Sequence, residues 1–550
     1  MRRRRPFLLS LLVLALFVAG CAGSEPDEDA ADDLPAEPGD TGTETDTEAG
    51  AERVVDPTPG GEVTFLVEGE TATWDLPNAE CATSCINVLR LAADPLFVED
   101  VDGTPQPFLL ESSTSDEAFT TWTLVLRPGI TFQNGEPLDA DALALDLENK
   151  IAGLVTGPVL AGATAVTSDG DRTVTITFDA PHSSLPHELA SLPGFVMAPA
   201  FYTDHDRDAG GPIGTGPFVF DQWSPSERTV LVRNDDYWRT DAEGRSLPHL
   251  DRVVVRPVPS KTDREAIVEA GDADLAHVDD VESPDRWLDD WDGGLLTSDL
   301  SQETSYGMFN ADAEPFDDPA ARLAVAQCTD RETFNQLINP ASTTASGPFS
   351  PGSIGHLDDA GFPAFDPVAG TALVGSLGGL SFDYLTTDDA SERLAADLLV
   401  SMWRQCGIDA SFSQASQSEV ITRALFGDFQ MVSWRLHGST NPAVEGIWWS
   451  SDNAGAIALN AGRIRDAEID AALEAMRATD DPATLAEQAE AVNRRFGETV
   501  HNLWYAWSEW WIIHQADVRD VGVLDLPDGG QANPKTHGSV WLHQAWLDAG

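Results

Sequence analysis

The stretch Trp122-Thr123-Leu124-Val125-Leu126-Arg127-Pro128-Gly129-Ile130-Thr131-Phe132-Gln133-Asn134-Gly135-Glu136-Pro137-Leu138 decides the fold class. Its first five residues, with Thr121, alternate apolar and polar, the pattern of a half-buried strand. Immediately after it, Asp139 is placed to cap a helix that runs through Leu145 and Leu147. The same alternation recurs from Thr173 to Phe178, from Arg228 to Arg233 and from Val253 to Val258. Helical signals are interleaved with these strands. Thr329 and Glu332 have capping-box spacing, Ser391 opens a helix carrying Leu394, Leu398, Met402 and Trp403 that stops at Gly407, and Asp481-Pro482 starts another with Leu485, Val492 and Phe496 in period. Strands and helices that mix throughout predict an α/β or α+β chain.

The 550 residues, 42% apolar, suffice for two or three packed lobes. The charge is −60, from 92 acidic and 32 basic residues, and only Lys150, Lys261 and Lys535 are lysines. Such a surface repels nucleic acid and anionic headgroups, so neither is expected as a partner. It reads first as a solvated surface suited to a salty medium; a field that draws in cationic ligands is a second reading that net charge alone does not decide.

The amino terminus reads as an address. Arg2 to Arg5 precede an apolar run, Phe7 to Gly20, too short to span a bilayer comfortably. The run ends in Val18-Ala19-Gly20-Cys21, which resembles a bacterial lipobox; this implies a signal peptide over residues 1–20 and a diacylglycerol on Cys21. Arg4-Arg5-Pro6-Phe7-Leu8 also resembles a twin-arginine signal, so the export route stays open between that and Sec. Residues 22–59 carry thirteen Asp and Glu and almost no large apolar group. They read, with Cys21, as an acidic, extended tether. The four cysteines beyond Cys21 allow three pairings. Cys81 and Cys85 are close enough to close a small loop, which leaves Cys328 and Cys406; a metal site is not expected, since no histidine or second cysteine pair stands at zinc spacing.

Further stretches stand in a fixed order: Gly214-Thr215-Gly216-Pro217-Phe218 with Arg233-Asn234-Asp235-Asp236-Tyr237-Trp238; Pro248-His249-Leu250-Asp251-Arg252-Val253 running to Ala270-Gly271-Asp272-Ala273-Asp274-Leu275; and Phe309-Asn310, Pro315-Phe316-Asp317-Asp318, Arg322 and Asp330-Arg331. Asp330-Arg331 reads as a local salt bridge at a helix start. Asp466 to Asp470 and Gly538-Ser539-Val540-Trp541-Leu542 complete the series. Together with the opening stretch, these resemble the family 5 extracellular solute-binding proteins, the peptide and nickel binders of bacterial ABC importers, over about residues 60–548. The resemblance implies a two-lobed periplasmic-binding-protein-like fold (class II, large peptide-binder type) with a hinge between lobes. Lobe one spans 60–303 and lobe two 304–503, with crossings near Tyr306-Gly307-Met308-Phe309 and Trp504-Tyr505-Ala506-Trp507, and a return segment, 504–550, completes lobe one. It further implies capture by hinge closure, ABC permease and ATPase subunits as partners, no cofactor, and a monomer held at the outer face of the cytoplasmic membrane by its lipid alone.

In peptide-binding relatives an acidic residue shortly after a Trp captures the ligand's α-ammonium. The matching stretch here, Trp434-Arg435-Leu436-His437-Gly438-Ser439-Thr440-Asn441, has His437 at that place, within an alignment slip of one residue. A neutral imidazole offers one acceptor and no fixed negative charge, while Arg435 suits a carboxylate or phosphate. Among 16 Trp, the pair Trp448-Trp449 and the run Trp504 to Trp511 invite attention, because adjacent residues of a strand face opposite ways. The expected ligand contacts are therefore Trp434, Arg435, His437, Asn441, Trp448, Tyr505 and Trp507, with Trp74 and the Cys81–Cys85 loop near the cleft mouth. A peptide is the leading ligand; an oligosaccharide, metal chelate or other metabolite is the alternative. No catalytic residue is expected. Gly214-Thr215-Gly216-Pro217 is no phosphate loop, His187-Glu188 lacks the second His of a zinc protease motif, and Gly352-Ser353-Ile354-Gly355 is not a nucleophile elbow, which leaves a secreted hydrolase as a distant reading.

Overall fold

The computed structural model describes residues 56–548 except 80, 280–283, 290, 298–301, 339 and 537. The expected signal peptide, Cys21 and all but the end of the tether lie outside the described residues.

Two mixed sheets organise the chain. The first has seven strands in the order Gly294–Leu296, Trp510–His514, Leu275–Asp279, Glu62–Val67, Arg252–Pro257, Arg228–Arg233 and Phe218–Ser224. Glu62–Val67 runs parallel to both of its neighbours and the outer pairs are antiparallel. The same lobe carries a four-stranded antiparallel sheet that includes Thr121–Leu126 and Thr173–Phe178. Its helix Ala140–Ile151 begins where Asp139 accepts the backbone N–H of Ala142. That helix spends one of the three lysines on the interior: Lys150 donates to Asp146 at 2.5 Å and to the Phe195 carbonyl at 2.6 Å. The pairing with Asp146 is what makes a buried ammonium tolerable.

The second sheet has six strands, in the order Thr343–Thr344, Asn502–Ser508, Glu303–Phe309, Met431–His437, Ser381–Thr387 and Asp409–Ala415. Helices cover both of its faces, and two separate apolar cores result. Trp504 and Trp507 face the core shared with Ala467–Arg477 and Pro482–Thr499. Leu503, Tyr505 and Ala506 face the one shared with Pro319–Gln327 and Ala390–Gln405. Every residue of Asn502–Ser508 is consequently buried.

Several local expectations change on contact with the fold. Both expected crossings lie mid-strand in the second sheet. The chain instead leaves the first sheet after Gly294–Leu296 and enters the second at Glu303–Phe309; it returns across Glu509 alone, between Asn502–Ser508 and Trp510–His514. Asp330 makes no salt bridge with Arg331. It caps its helix by accepting the Thr333 N–H, while Arg331 donates to the carbonyls of Ala345 and Trp504. Thr329 is not the cap either; its hydroxyl donates back to the Val325 carbonyl. Ser391 is preceded by the true cap, Asp389, which takes the N–H groups of Ser391 and Glu392. Leu394 faces out, because Ala395, Ala396, Leu399 and Trp403 form the buried side of that helix. Gly214 and Gly216 are required by close approach and not by φ: a Cβ on either would sit about 2.4–2.5 Å from the backbone or side chain of Ala92 and Ala93.

Two disulfides are present, Cys81–Cys85 and Cys328–Cys406, separated by 4 and 78 residues. The second ties the ends of Pro319–Gln327 and Ala390–Gln405. Loop-closure entropy makes the longer link worth about 4 kcal/mol and the shorter about 2 kcal/mol. Replacing Cys328 and Cys406 together by Ser should therefore lower the urea midpoint roughly twice as far as replacing Cys81 and Cys85. Equal losses would show that loop entropy is not the source.

Candidate functional site

The strand ends that face across the two sheets enclose a cavity of about 740 Å3. Lobe one contributes the residues just after Glu62–Val67 (Glu68, Gly69, Glu70), the start of the Thr83–Ala92 helix with Cys81, and the segment 190–193. Lobe two contributes Ser433 to Leu436 of the strand Met431–His437, the capped ends of the Ala390–Gln405 and Gln417–Phe426 helices, and Val444 to Trp448.

Polar bonds fasten the lobes around it. Arg435 reaches across to Glu68, Nη2 to Oε2 at 2.9 Å, and lies 3.8 Å from Glu303 on the neighbouring strand of its own sheet. Its guanidinium also stands over the Trp510 ring, 5.3 Å from the centroid. Gln417 donates to the other oxygen of Glu68 at 3.4 Å. On the far flank the Thr440 hydroxyl donates to Glu99 at 2.7 Å, and the Ser183 N–H and hydroxyl donate to the carbonyls of Arg477 and Met476. All of these but the Arg435–Glu303 contact join one lobe to the other, so the lobes are closed on the cavity.

Of the expected ligand contacts, Trp434, Arg435 and Trp448 line this cavity. Tyr505 and Trp507 do not. Tyr505 is buried against Phe334 and Tyr384, and the Trp507 indole donates to the Gly347 carbonyl inside the opposite core. The alternation argument failed there because the sheet has a core on each face, so both sets of side chains find apolar cover. Asn441 also stands back from the cavity. It caps the turn Pro442–Glu445 by accepting the Ala443 N–H, and its amide nitrogen is 3.4 Å from His187 Nδ1 of the other lobe. His437 ends its strand paired with Glu303; its side chain lies outside what the structure describes. Trp74 is buried against Phe220 and Trp223, off the cavity wall.

Sequence reasoning missed Glu445. It lines the cavity, is 3% exposed, and accepts a backbone N–H from Ser439, while its Oε2 has no hydrogen-bond partner among the described residues. Nothing in a chain with 92 acidic residues marks one glutamate out. Glu392 and Asp389, also on the wall, are satisfied by the hydroxyls of Thr386 and Ser433 and by the helix N–H groups. Burial raises Glu445 to about 8, and it raises Glu99 to about 7, where it outweighs the Thr440 hydroxyl.

In the unfolded chain both acids ionise near the usual 4.5, whereas the folded protein keeps their protons to about pH 7 to 8. The folded state thus binds more protons in this window, and these two groups make stability fall as pH rises from about 4.5 to about 8. Glu445→Gln and Glu99→Gln should remove that decline, by at most about 1.4 kcal/mol per pH unit for each site. Urea midpoints of the variants and the parent across pH 5 to 8 check it; parallel curves would refute it.

Residues 104–457 match the family model described as bacterial extracellular solute-binding proteins, family 5 middle. A nickel-binding periplasmic protein of Escherichia coli K12 is 26% identical over 377 residues, 63% of this chain and 70% of that one. A glutathione-binding protein, GsiB, of Pectobacterium atrosepticum is 28% identical over 244 residues, 43% of this chain, and the alignment spans 46% of its length. Among solved structures, the Helicobacter pylori DppA in complex with the peptide STSA superposes with a TM-score of 0.77 at 17% identity, covering 89% of this chain and 98% of that one. The Bacillus subtilis oligopeptide-binding protein AppA with a nonapeptide gives 0.76 at 19%, covering 90% and 100%. The Campylobacter jejuni NikZ with Ni(L-His) gives 0.72 at 18%, covering 88% and 97%. A two-lobed fold closed over a solute-sized cavity, and a family model that takes in most of both lobes, lead to one assignment: the chain belongs to family 5 of the bacterial extracellular solute-binding proteins.

Proposed function

We propose that this protein captures an extracellular solute between its lobes by hinge closure and hands it to the permease and ATPase subunits of an ABC importer. The observation that carries the reading is the cavity of about 740 Å3 fastened on both flanks by cross-lobe bonds. That volume is in the range that encloses a ligand of several hundred daltons. Contacts to both walls exist together only in the closed state, so solute shifts the population toward closure. Trp434, Trp448 and Arg435 are the contacts proposed from the wall, with His437 beside them. Tyr505, Trp507 and Asn441 hold the wall in place from behind. A short peptide is the first candidate solute, in keeping with the peptides in the DppA and AppA structures. The nickel-binding relative supports a second, a metal chelate. Among the described residues no group of three or more His, Cys, Asp or Glu can hold a metal ion, so a metal would arrive already chelated.

Native mass spectrometry of the full chain, taken from the cell envelope in mild detergent, tests this. A ladder of adduct masses fitting mixed short peptides is expected. A single adduct with a metal isotope pattern would replace peptide by chelate. A protein that takes up no solute and shows no compaction by small-angle scattering in any solute mixture would overturn the reading.

Cys21 is proposed as the lipidated residue, after export and removal of residues 1–20. It places a monomer at the outer face of the cytoplasmic membrane, and the acidic residues 22–59 space the lobes from the lipid. The variant Cys21→Ser should move the protein from the membrane fraction to the soluble extracytoplasmic fraction. Continued membrane association would show a different anchor.

A further inference from the structure

One wall of the cavity is the start of the helix Thr83–Ala92: Cys81, Ala82, Thr83, Ile86 and Arg90 all line it. The spacing of the last three puts them on one helical face. The sequence provides poorly for that start. Ala82 stands at the N-cap position with the extended backbone a cap requires (φ −73°, ψ 179°), yet its side chain accepts no hydrogen bond, and no acidic residue stands in the first turn. Alanine is among the poorest N-caps, and helix ends are where fraying begins. Cys81 and Cys85 are bonded across this turn, from the residue before the cap to the third residue of the helix. A capping box ties the cap to that third residue by hydrogen bonds. Here a covalent bond ties the turn at nearly the same two points.

The turn supports more than its own wall. The Ser84 hydroxyl accepts the Gly69 N–H at 3.1 Å. Glu68, one residue earlier, is the acceptor that Arg435 and Gln417 reach from lobe two. The other disulfide is placed differently. Cys328 and Cys406 are buried in a core of lobe two, and neither lines the cavity.

We propose that the Cys81–Cys85 disulfide is a positioning element of the solute site: it takes the place of a helix cap, holds Thr83 and Ile86 where solute meets them, and holds Glu68 where lobe two reaches it. The assignment rests on solute capture in this cavity. Without the bond the first turn is ordered for only part of the time, and a site competent for a fraction of the time loses affinity by that fraction. Ordering the turn then falls to the solute. Loss of the longer disulfide leaves this wall as it is, although it takes more from the fold through loop entropy. The two links thus divide their effects, the shorter on binding and the longer on folding.

The test titrates the full chain, in mild detergent, with the low-molecular-mass fraction of yeast extract. Native mass spectrometry reads half-saturation, and the urea midpoint without solute reads the fold. Replacing Cys81 and Cys85 by Ser should raise the amount needed for half-saturation roughly 5- to 30-fold. Replacing Cys328 and Cys406 by Ser should lower the urea midpoint further, yet leave half-saturation within about twofold of the parent. Adding Ala82→Ser to the first pair of substitutions supplies a hydroxyl where the backbone already suits a cap, and should recover most of the lost affinity. Ser84→Ala keeps the disulfide, removes only the bond to Gly69, and should raise half-saturation roughly 3- to 10-fold even if the chain without Cys81 and Cys85 does not fold. Half-saturation unchanged without Cys81–Cys85, raised equally by loss of either disulfide, not recovered by Ala82→Ser, or unchanged in Ser84→Ala would each overturn the assignment and leave solute capture standing. A parent chain that takes up no solute would overturn both.

Discussion

The structure depends on how the two crossings are held. Glu303–Phe309 and Asn502–Ser508, the strands next to the two crossings, are neighbours in one sheet, hydrogen-bonded antiparallel from Glu303–Ser508 to Met308–Asn502. Both are buried almost throughout. A pair bonded in this way cannot shear without breaking a ladder, so the second lobe is rigid up to Ser508. The return crossing is Glu509 alone, between Asn502–Ser508 and Trp510–His514. Hinges are commonly a few residues that absorb the dihedral change, and here the paired strands leave few others able to do so.

Rigidity on one side makes the cross-lobe bonds the adjustable part of the energy. Arg435 keeps Glu303 in either arrangement, because both belong to the second sheet, whereas its bond to Glu68 exists only on closure. The groups are partly exposed, so the gain is that of a screened pair, about 1 kcal/mol or less. The same limit applies to Gln417 with Glu68, at a longer distance. Thr440 with Glu99 is better shielded, but it leaves the other Glu99 oxygen without a partner among the described residues. Closure therefore rests on several modest bonds and leaves room for the solute to set the balance.

What the sequence shows and what it hides follow from the range of the interactions. Local signals were legible: the strand at Thr121–Leu126 and the caps at Asp139 and Asp481 are all determined within a few residues. The motif order carried the two-lobed architecture. The cavity wall was legible only in part, at Trp434, Arg435 and Trp448. Tyr505 and Trp507 misled because the aromatic run crosses a sheet with a core on each face, a property of distant helices and not of the run itself. Glu445 was invisible for the opposite reason. Its burial comes from the helices Ala467–Arg477 and Pro482–Thr499 packed on the turn Pro442–Glu445, and its spacing from Trp434 carries no periodic signal. The caps at Thr329 and Ser391 slipped because Asp330 and Asp389, one and two residues away, are better acceptors for a helix start.

The unpaired oxygen of Glu445 bears on the charge the wall can carry. Its turn, Pro442–Glu445, packs on the helices Ala467–Arg477 and Pro482–Thr499 of its own lobe, so its burial does not wait on closure. At a pH below its raised value, about 8, the carboxyl keeps its proton. Above it, the folded chain must hold a buried charge, which costs stability. Glu99 differs, because the hydroxyl that reaches it comes from Thr440 of the other lobe. That bond favours the ionised form, so ionising Glu99 strengthens the cross-lobe contact as pH rises through about 7. The two raised acids thus act on different balances, Glu445 on the folding of one lobe and Glu99 on the closing of two.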